Sequence, residues 1–202
     1  MEGDMQMEDK AGRLTALEVK YRELLESYKP VVLGEGNPEA DILMIGEAPG
    51  KTEVELKRPF VGQAGRNLDE FLEALELKRE DLYITNAVKF RPTRVNADTG
   101  SISNRAPTAK EIEIFRPLLM DEIETVAPSV VVSLGNIPLF CLIGKNTRIG
   151  DVHGRPMELG QRILYPLYHP ASIIYRRELK SVYRDDLARL KVLLEEQLKR
   201  SP

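Results

Sequence analysis

Residues 41–50 read Asp41-Ile42-Leu43-Met44-Ile45-Gly46-Glu47-Ala48-Pro49-Gly50, four apolar residues in a row and then a turn of glycine and proline. A run so short and so uniformly apolar fits a strand buried on both faces, since a helix would need a longer amphipathic stretch. Three more runs repeat the pattern. Leu82-Tyr83-Ile84-Thr85 stops at Asn86, Ser129-Val130-Val131-Val132-Ser133-Leu134 stops at Gly135, and Ile163-Leu164-Tyr165 runs up to Tyr168-His169-Pro170. Helical spacing appears between them, at Leu68, Phe71, Leu72 and Leu75, from about Lys110 to Val126, and briefly after Asn136. Amphipathic stripes flank the set: Leu14, Leu17, Tyr21, Leu24 and Tyr28 on one side, and Leu179, Tyr183, Leu187, Leu190, Leu194 and Leu198 on the other. The alternation predicts an α/β fold of three layers, α/β/α, around a four-stranded parallel sheet joined by right-handed crossovers. Residues 1–30 read as a helical extension and 31–202 as the α/β domain with its carboxyl-terminal helix. The polar segment Arg91 to Pro107 reads as a long surface loop.

Composition narrows the function classes. The chain has 202 residues, 42% hydrophobic and 30% charged, which excludes a disordered chain, a collagen and a coiled-coil rod. Its formal charge is 29 − 32 = −3, so any nucleic-acid contact must gather its positive charge on one face. The single cysteine, Cys141, excludes an intrachain disulfide and an all-cysteine metal site, and predicts a reducing, cytoplasmic setting. Thr125 to Gly144 carries no charge, but Pro128, Pro138 and Gly135-Asn136 break it into a buried strand and a short helix. With an acidic, polar amino terminus, this predicts a soluble protein without a membrane partner.

Open parallel sheets bind ligands in the crevice beyond the carboxyl ends of their strands. Three strands here end in polar or glycine-rich punctuation: Gly46 to Gly50, Asn86 and His169. The turn at Gly46 matches neither a P-loop nor a dinucleotide fingerprint. It serves equally as a strand-ending turn or as a close approach for a ligand with Glu47 beside it. Asn86 either closes its strand or offers a donor and an acceptor to a nucleobase edge. His169, between a strand and Pro170, is structural or catalytic. Phe60, in Arg58-Pro59-Phe60-Val61-Gly62, offers a stacking face worth ~1–3 kcal/mol per base. Basic residues collect nearby: Lys51, Lys57 and Arg58, then Lys89, Arg91, Arg94 and Arg105, then Arg176 and Arg177. Ile173 and Ile174 read as core, or as an apolar wedge between base steps.

Taken together, Gly46-Glu47-Ala48-Pro49-Gly50, Glu53, Arg58 to Gly65, Thr85-Asn86-Ala87-Val88-Lys89 and His169-Pro170-Ala171 resemble the uracil-DNA glycosylase superfamily, and its family 4 in particular. The resemblance runs from about Gly34 to the last helix. It implies a monofunctional glycosylase that hydrolyses the bond between a flipped-out uracil and deoxyribose in DNA, as a monomer associated with the nucleoid. In that reading Glu47, Glu53 and His169 are catalytic, and Gly46, Ala48, Phe60 and Asn86 bind the base. Lys89, Arg91, Ile173 and Arg176 contact DNA. Glu47 or Glu53 positions water or stabilises the sugar cation, or else Glu53 walls out thymine's methyl group. A catalytically silent DNA-binding or damage-sensing module is the alternative, and a hydrolase of free nucleosides a weaker one. His153 is structural or phosphate-facing. Family 4 normally carries a [4Fe-4S] cluster on four cysteines. Here two of those positions are Phe90 and Phe115, and no cysteine precedes the first strand. A cluster needs four thiolates, so none is expected. Phe90 and Phe115 are expected to fill the corner against Leu24, Leu25 or Tyr28.

Overall fold

A computed structural model describes residues 9–144, 147–172 and 178–198. Helices α1 (Lys10–Lys20) and α2 (Arg22–Ser27) precede β1 (Glu35–Gly36) and β2 (Ile42–Gly46). Next come α3 (Lys51–Leu56), α4 (Gln63–Ala74), β3 (Leu82–Asn86), β4 (Thr93–Val95), β5 (Ile102–Asn104) and α5 (Ala109–Val126). The described order closes with β6 (Val130–Leu134), α6 (Asn136–Ile143), α7 (Ile149–Val152), β7 (Met157–Leu159), β8 (Arg162–Leu167) and α8 (Leu179–Leu198).

The sheet order is β1-β3-β2-β6-β8-β7. Its centre, β3-β2-β6-β8, is parallel and corresponds to the four apolar runs of the sequence. Two short antiparallel edges extend it, β1 on β3 and β7 on β8. These edges correct the expectation of four strands. Pieces of two and three residues are too short to carry a period. The expected loop at Arg91 to Pro107 also holds structure, because β4 and β5 pair as a hairpin. The Asn96 side chain closes its turn by accepting from the Asp98 and Thr99 amides.

Side chains alternate across the sheet and split the core in two. Leu43, Ile45, Val131 and Leu164 pack against Phe115, Leu118 and Leu119 of α5 and against α6. On the opposite face Met44, Ile84, Val132 and Tyr165 meet α4 and the Tyr183, Leu187, Leu190 and Leu194 stripe of α8. Among the described residues no helix is long and apolar enough to cross a membrane. The uncharged segment Thr125 to Gly144 becomes the end of α5, then β6 and α6.

Three rings close the corner beneath α2. Tyr28 lies 4.7 Å from Phe90 and 5.1 Å from Phe115, and Phe90 lies 5.7 Å from Phe115, centroid to centroid. Phe115 is fully buried. This packed aromatic corner does not fit a four-thiolate cluster, and Cys141 is buried in α6. Phe115→Ala is expected to cost ~3–5 kcal/mol, read from urea unfolding. A loss below ~1 kcal/mol would mean that the ring does not support this corner.

Candidate active site

The registers bring Gly46 level with Asn86 and Leu134 level with Leu167, so the parallel strands end in one row. The chain turns from β2 to β3 on one side and to β6 on the other, which opens the crevice at the centre of that row. A cavity of about 310 Å³ lies there, lined by Ala48, Glu53, Phe60, Asn86, Asn104 and His169, among others. Phe60 and Asn86 are buried and form its floor, while Lys51, Gln63 and Asn104 are exposed at its mouth. A β-carbon at Gly46 would overlap both the Phe60 ring and Asn86 Oδ1, so only glycine lets the ring and the amide stand together. Phe60 adopts φ 53°, a left-handed conformation that aromatic residues rarely take. Its carbonyl accepts from Arg79 at 2.5 Å, and Arg79 is itself paired with Asp69 at 2.7 Å.

His169 faces Phe60 with ring centroids 6.1 Å apart and planes at 26°. Its Nδ1 accepts the Ala171 amide at 3.1 Å. The neutral ring therefore carries its proton on Nε2, where it is available as a donor. Burial pushes the His169 pKa down to about 4, which keeps the ring neutral at physiological pH. Gly135, at φ 96°, lies so close beneath that a β-carbon there would sit 3.3 Å from His169 Cβ. Asn67 of α4 holds the next carbonyl, donating to Pro170 O at 2.9 Å.

The two carboxylates have separate surroundings. Glu53 is buried, and its oxygens accept the Gly50 amide at 3.1 Å, Val61 at 3.1 Å and Gly62 at 2.6 Å. One side chain thus clamps the start of α3 to the loop that carries Phe60. The Glu47 carboxylate accepts no hydrogen bond from the described residues, whereas its backbone carbonyl takes the Val88 amide at 3.2 Å, and burial raises the carboxyl pKa. It lines a smaller cavity, about 170 Å³, that shares Ala48, Asn104 and His169 with the first.

Lys89 requires a correction. It is fully buried, and Nζ donates to Thr85 Oγ1 at 2.7 Å, Asn86 O at 2.7 Å and Glu122 Oε2 at 2.5 Å. Its ammonium points into the fold, where no phosphate reaches. Several other cations are also taken: Arg58 by Glu35, Lys51 by Glu55 and Arg105 by Glu111. Arg91 and Arg94 have no carboxylate partner among the described residues; they bond Asn104 and Ser103. His153 pairs with buried Asp186 at 2.7 Å, which makes it a tie to α8. Ile173 and Arg176 lie outside the described residues. Sequence reasoning missed Arg79, Glu122 and Asn104; only the turn signal at Asn96 to Gly100, which marks a hairpin, could have pointed to Asn104. Among the described residues no three His, Cys, Asp or Glu gather as a metal site.

Residues 33–191 match the family model described as the uracil DNA glycosylase superfamily. The "Type-4 uracil-DNA glycosylase" of Thermotoga maritima is 37% identical over 171 residues, 83% of this chain and 84% of the relative. That of Archaeoglobus fulgidus is 37% identical over 167 residues, 79% of each chain. That of Saccharolobus solfataricus is 38% identical over 175 residues, covering 82% of this chain and 77% of the relative.

Proposed function

Because the chain belongs to the uracil-DNA glycosylase superfamily, we propose that its rim cavity receives a uracil turned out of DNA and that the protein hydrolyses the bond from uracil N1 to C1′. The reaction leaves an abasic site and free uracil, the first step of base-excision repair. Extrusion costs a few kcal/mol, roughly, and less where the base is mispaired.

The observation that supports this reading best is the neutral imidazole with its Nε2 proton free, beside a buried amide and a buried ring. As the C1′–N1 bond breaks, its electron pair moves onto uracil, and charge grows on the ring oxygens. His169 donates Nε2–H to one of them, a preorganised donor of the kind worth ~2.7–4 kcal/mol in the transition state. The Asn86 amide donates to uracil O4 and accepts from N3–H. Cytosine reverses both groups and leaves the amide unsatisfied, which is how a buried amide discriminates. Phe60 stacks on the base.

Water then adds to C1′ of the sugar cation and gives up a proton. Glu47 is the carboxylate for that step. It is open in the adjoining cavity, and burial makes it the stronger base. Both Glu53 oxygens are occupied by backbone N–H groups, so Glu53 is a positioning residue for Phe60.

The test is an end-labelled oligonucleotide with one internal uracil, incubated with the protein and then treated with alkali. Scission at the uracil, release of free uracil, and no scission of the thymine-containing control are expected. Binding without release would overturn the assignment as a hydrolase.

A further inference from the structure

The β4–β5 hairpin offers a surface that no step above uses. Thr93 pairs with Asn104, Arg94 with Ser103 and Val95 with Ile102. Alternation along a strand puts Thr93, Asn104, Val95 and Ile102 on one face of the ribbon. Asn104 lines both cavities. The face that borders the base site therefore continues outward, and two residues further along, ~7 Å of strand, it ends in an apolar pair. Val95 is 65% exposed and Ile102 63%, among the most exposed large apolar side chains of the described residues.

The hairpin is fixed in this position. Arg105 donates to Thr93 O at 3.1 Å and forms a two-pronged pair with Glu111, at 2.7 and 2.6 Å. Glu111 in turn accepts the Thr108 amide in the capping box of α5, and its pKa is held down at about 2. Asn104 is oriented by Arg91, whose Nε donates to Asn104 Oδ1 at 2.7 Å. That leaves the Asn104 NH2 and the terminal groups of Arg91 as donors, with no carboxylate on Arg91 among the described residues. Apolar side chains beside free cationic donors, in line with a base pocket, complement a nucleic-acid strand: phosphate for the donors, an unstacked base face for the apolar pair.

We infer that this face of the hairpin is a platform for the nucleotide next to the extruded one, with Val95 and Ile102 covering the base left unstacked by extrusion and Arg91 and Asn104 holding the phosphate between the two. The inference rests on the proposed function and names a part of the DNA that the base pocket alone does not touch. The hairpin keeps the neighbouring base from collapsing back into the gap.

The experiment uses uracil oligonucleotides with 2-aminopurine on the 5′ or the 3′ side of the uracil, and the full chain with Val95→Ser and Ile102→Ser together. Both positions are exposed, so thermal unfolding of the variant is expected to match the parent. The parent is expected to change the 2-aminopurine fluorescence on one flank. The double variant should lose that signal, with KM for uracil DNA rising about 10-fold and the single-turnover rate at saturation changing less than about 2-fold. An unchanged signal and KM would overturn the inference, as would a parent that self-associates through these residues while the variant still binds DNA normally. Excision by the parent keeps the two questions apart, because a parent that removes no uracil fails the proposed function, whereas a double variant that keeps the parent's KM and 2-aminopurine signal fails only the hairpin.

Discussion

Replacing Lys89 by methionine is expected to destabilise the protein by ~3–5 kcal/mol, the range for leaving one member of a buried ion pair alone. The side chain is fully buried, and Glu122, 3% exposed, would lose its only cationic partner among the described residues. Burial draws the lysine pKa down from its ordinary value, with Glu122 opposing it. Both partners are thus held against the cost of desolvation by each other and by Thr85. Replacing the two together by Lys89→Met and Glu122→Leu should recover most of the loss, since a buried pair exchanged for apolar groups is often near neutral. Urea unfolding of the two variants measures this. A single variant as stable as the parent would mean that the pair is not buried as described. The double variant has a second use. Lys89 also holds the carbonyl of Asn86, so a stable protein without that bond should excise uracil more slowly while unfolding normally.

His169→Ala should lower the single-turnover rate by about 10²- to 10³-fold, the usual cost of removing one preorganised donor to a developing anion. Its pH dependence is specific. With a pKa pushed down to about 4 by burial, His169 is neutral at physiological pH. The ratio of parent to variant rates should therefore stay flat from pH 5.5 to 8. It should shrink only as pH falls toward 4, when a proton on Nδ1 would break the bond from the Ala171 amide. A ratio that changes with a midpoint near 6.5, the unperturbed imidazole value, would mean that the cationic ring acts.

The parallel strands were legible because each is a short apolar run closed by Gly46, Asn86, Gly135 or the Tyr168-His169 pair. The rim followed from topology alone. The edges β1 and β7 were not legible, being two and three residues long. The β4–β5 hairpin hid within polar sequence, where only its turn carries a signal. Lys89 misled because a lysine just past a strand looks solvated, and its partner Glu122 stands 33 positions away. Glu53 was legible as a site residue, but its amide partners at Val61 and Gly62 were not, because they meet it only through tertiary folding. The packing of Phe90 and Phe115 was anticipated from the resemblance and has no periodic signal of its own.

The Glu53 clamp has a kinetic corollary. Since one side chain rivets the start of α3 to the Phe60 loop through the chain's own amides, the pocket proposed for the base would have little ordering entropy left to lose on docking. Selection among visiting bases would then take place within the lifetime of each encounter. Search along a genome would be limited by how often bases swing out of the helix, not by how fast the protein rearranges.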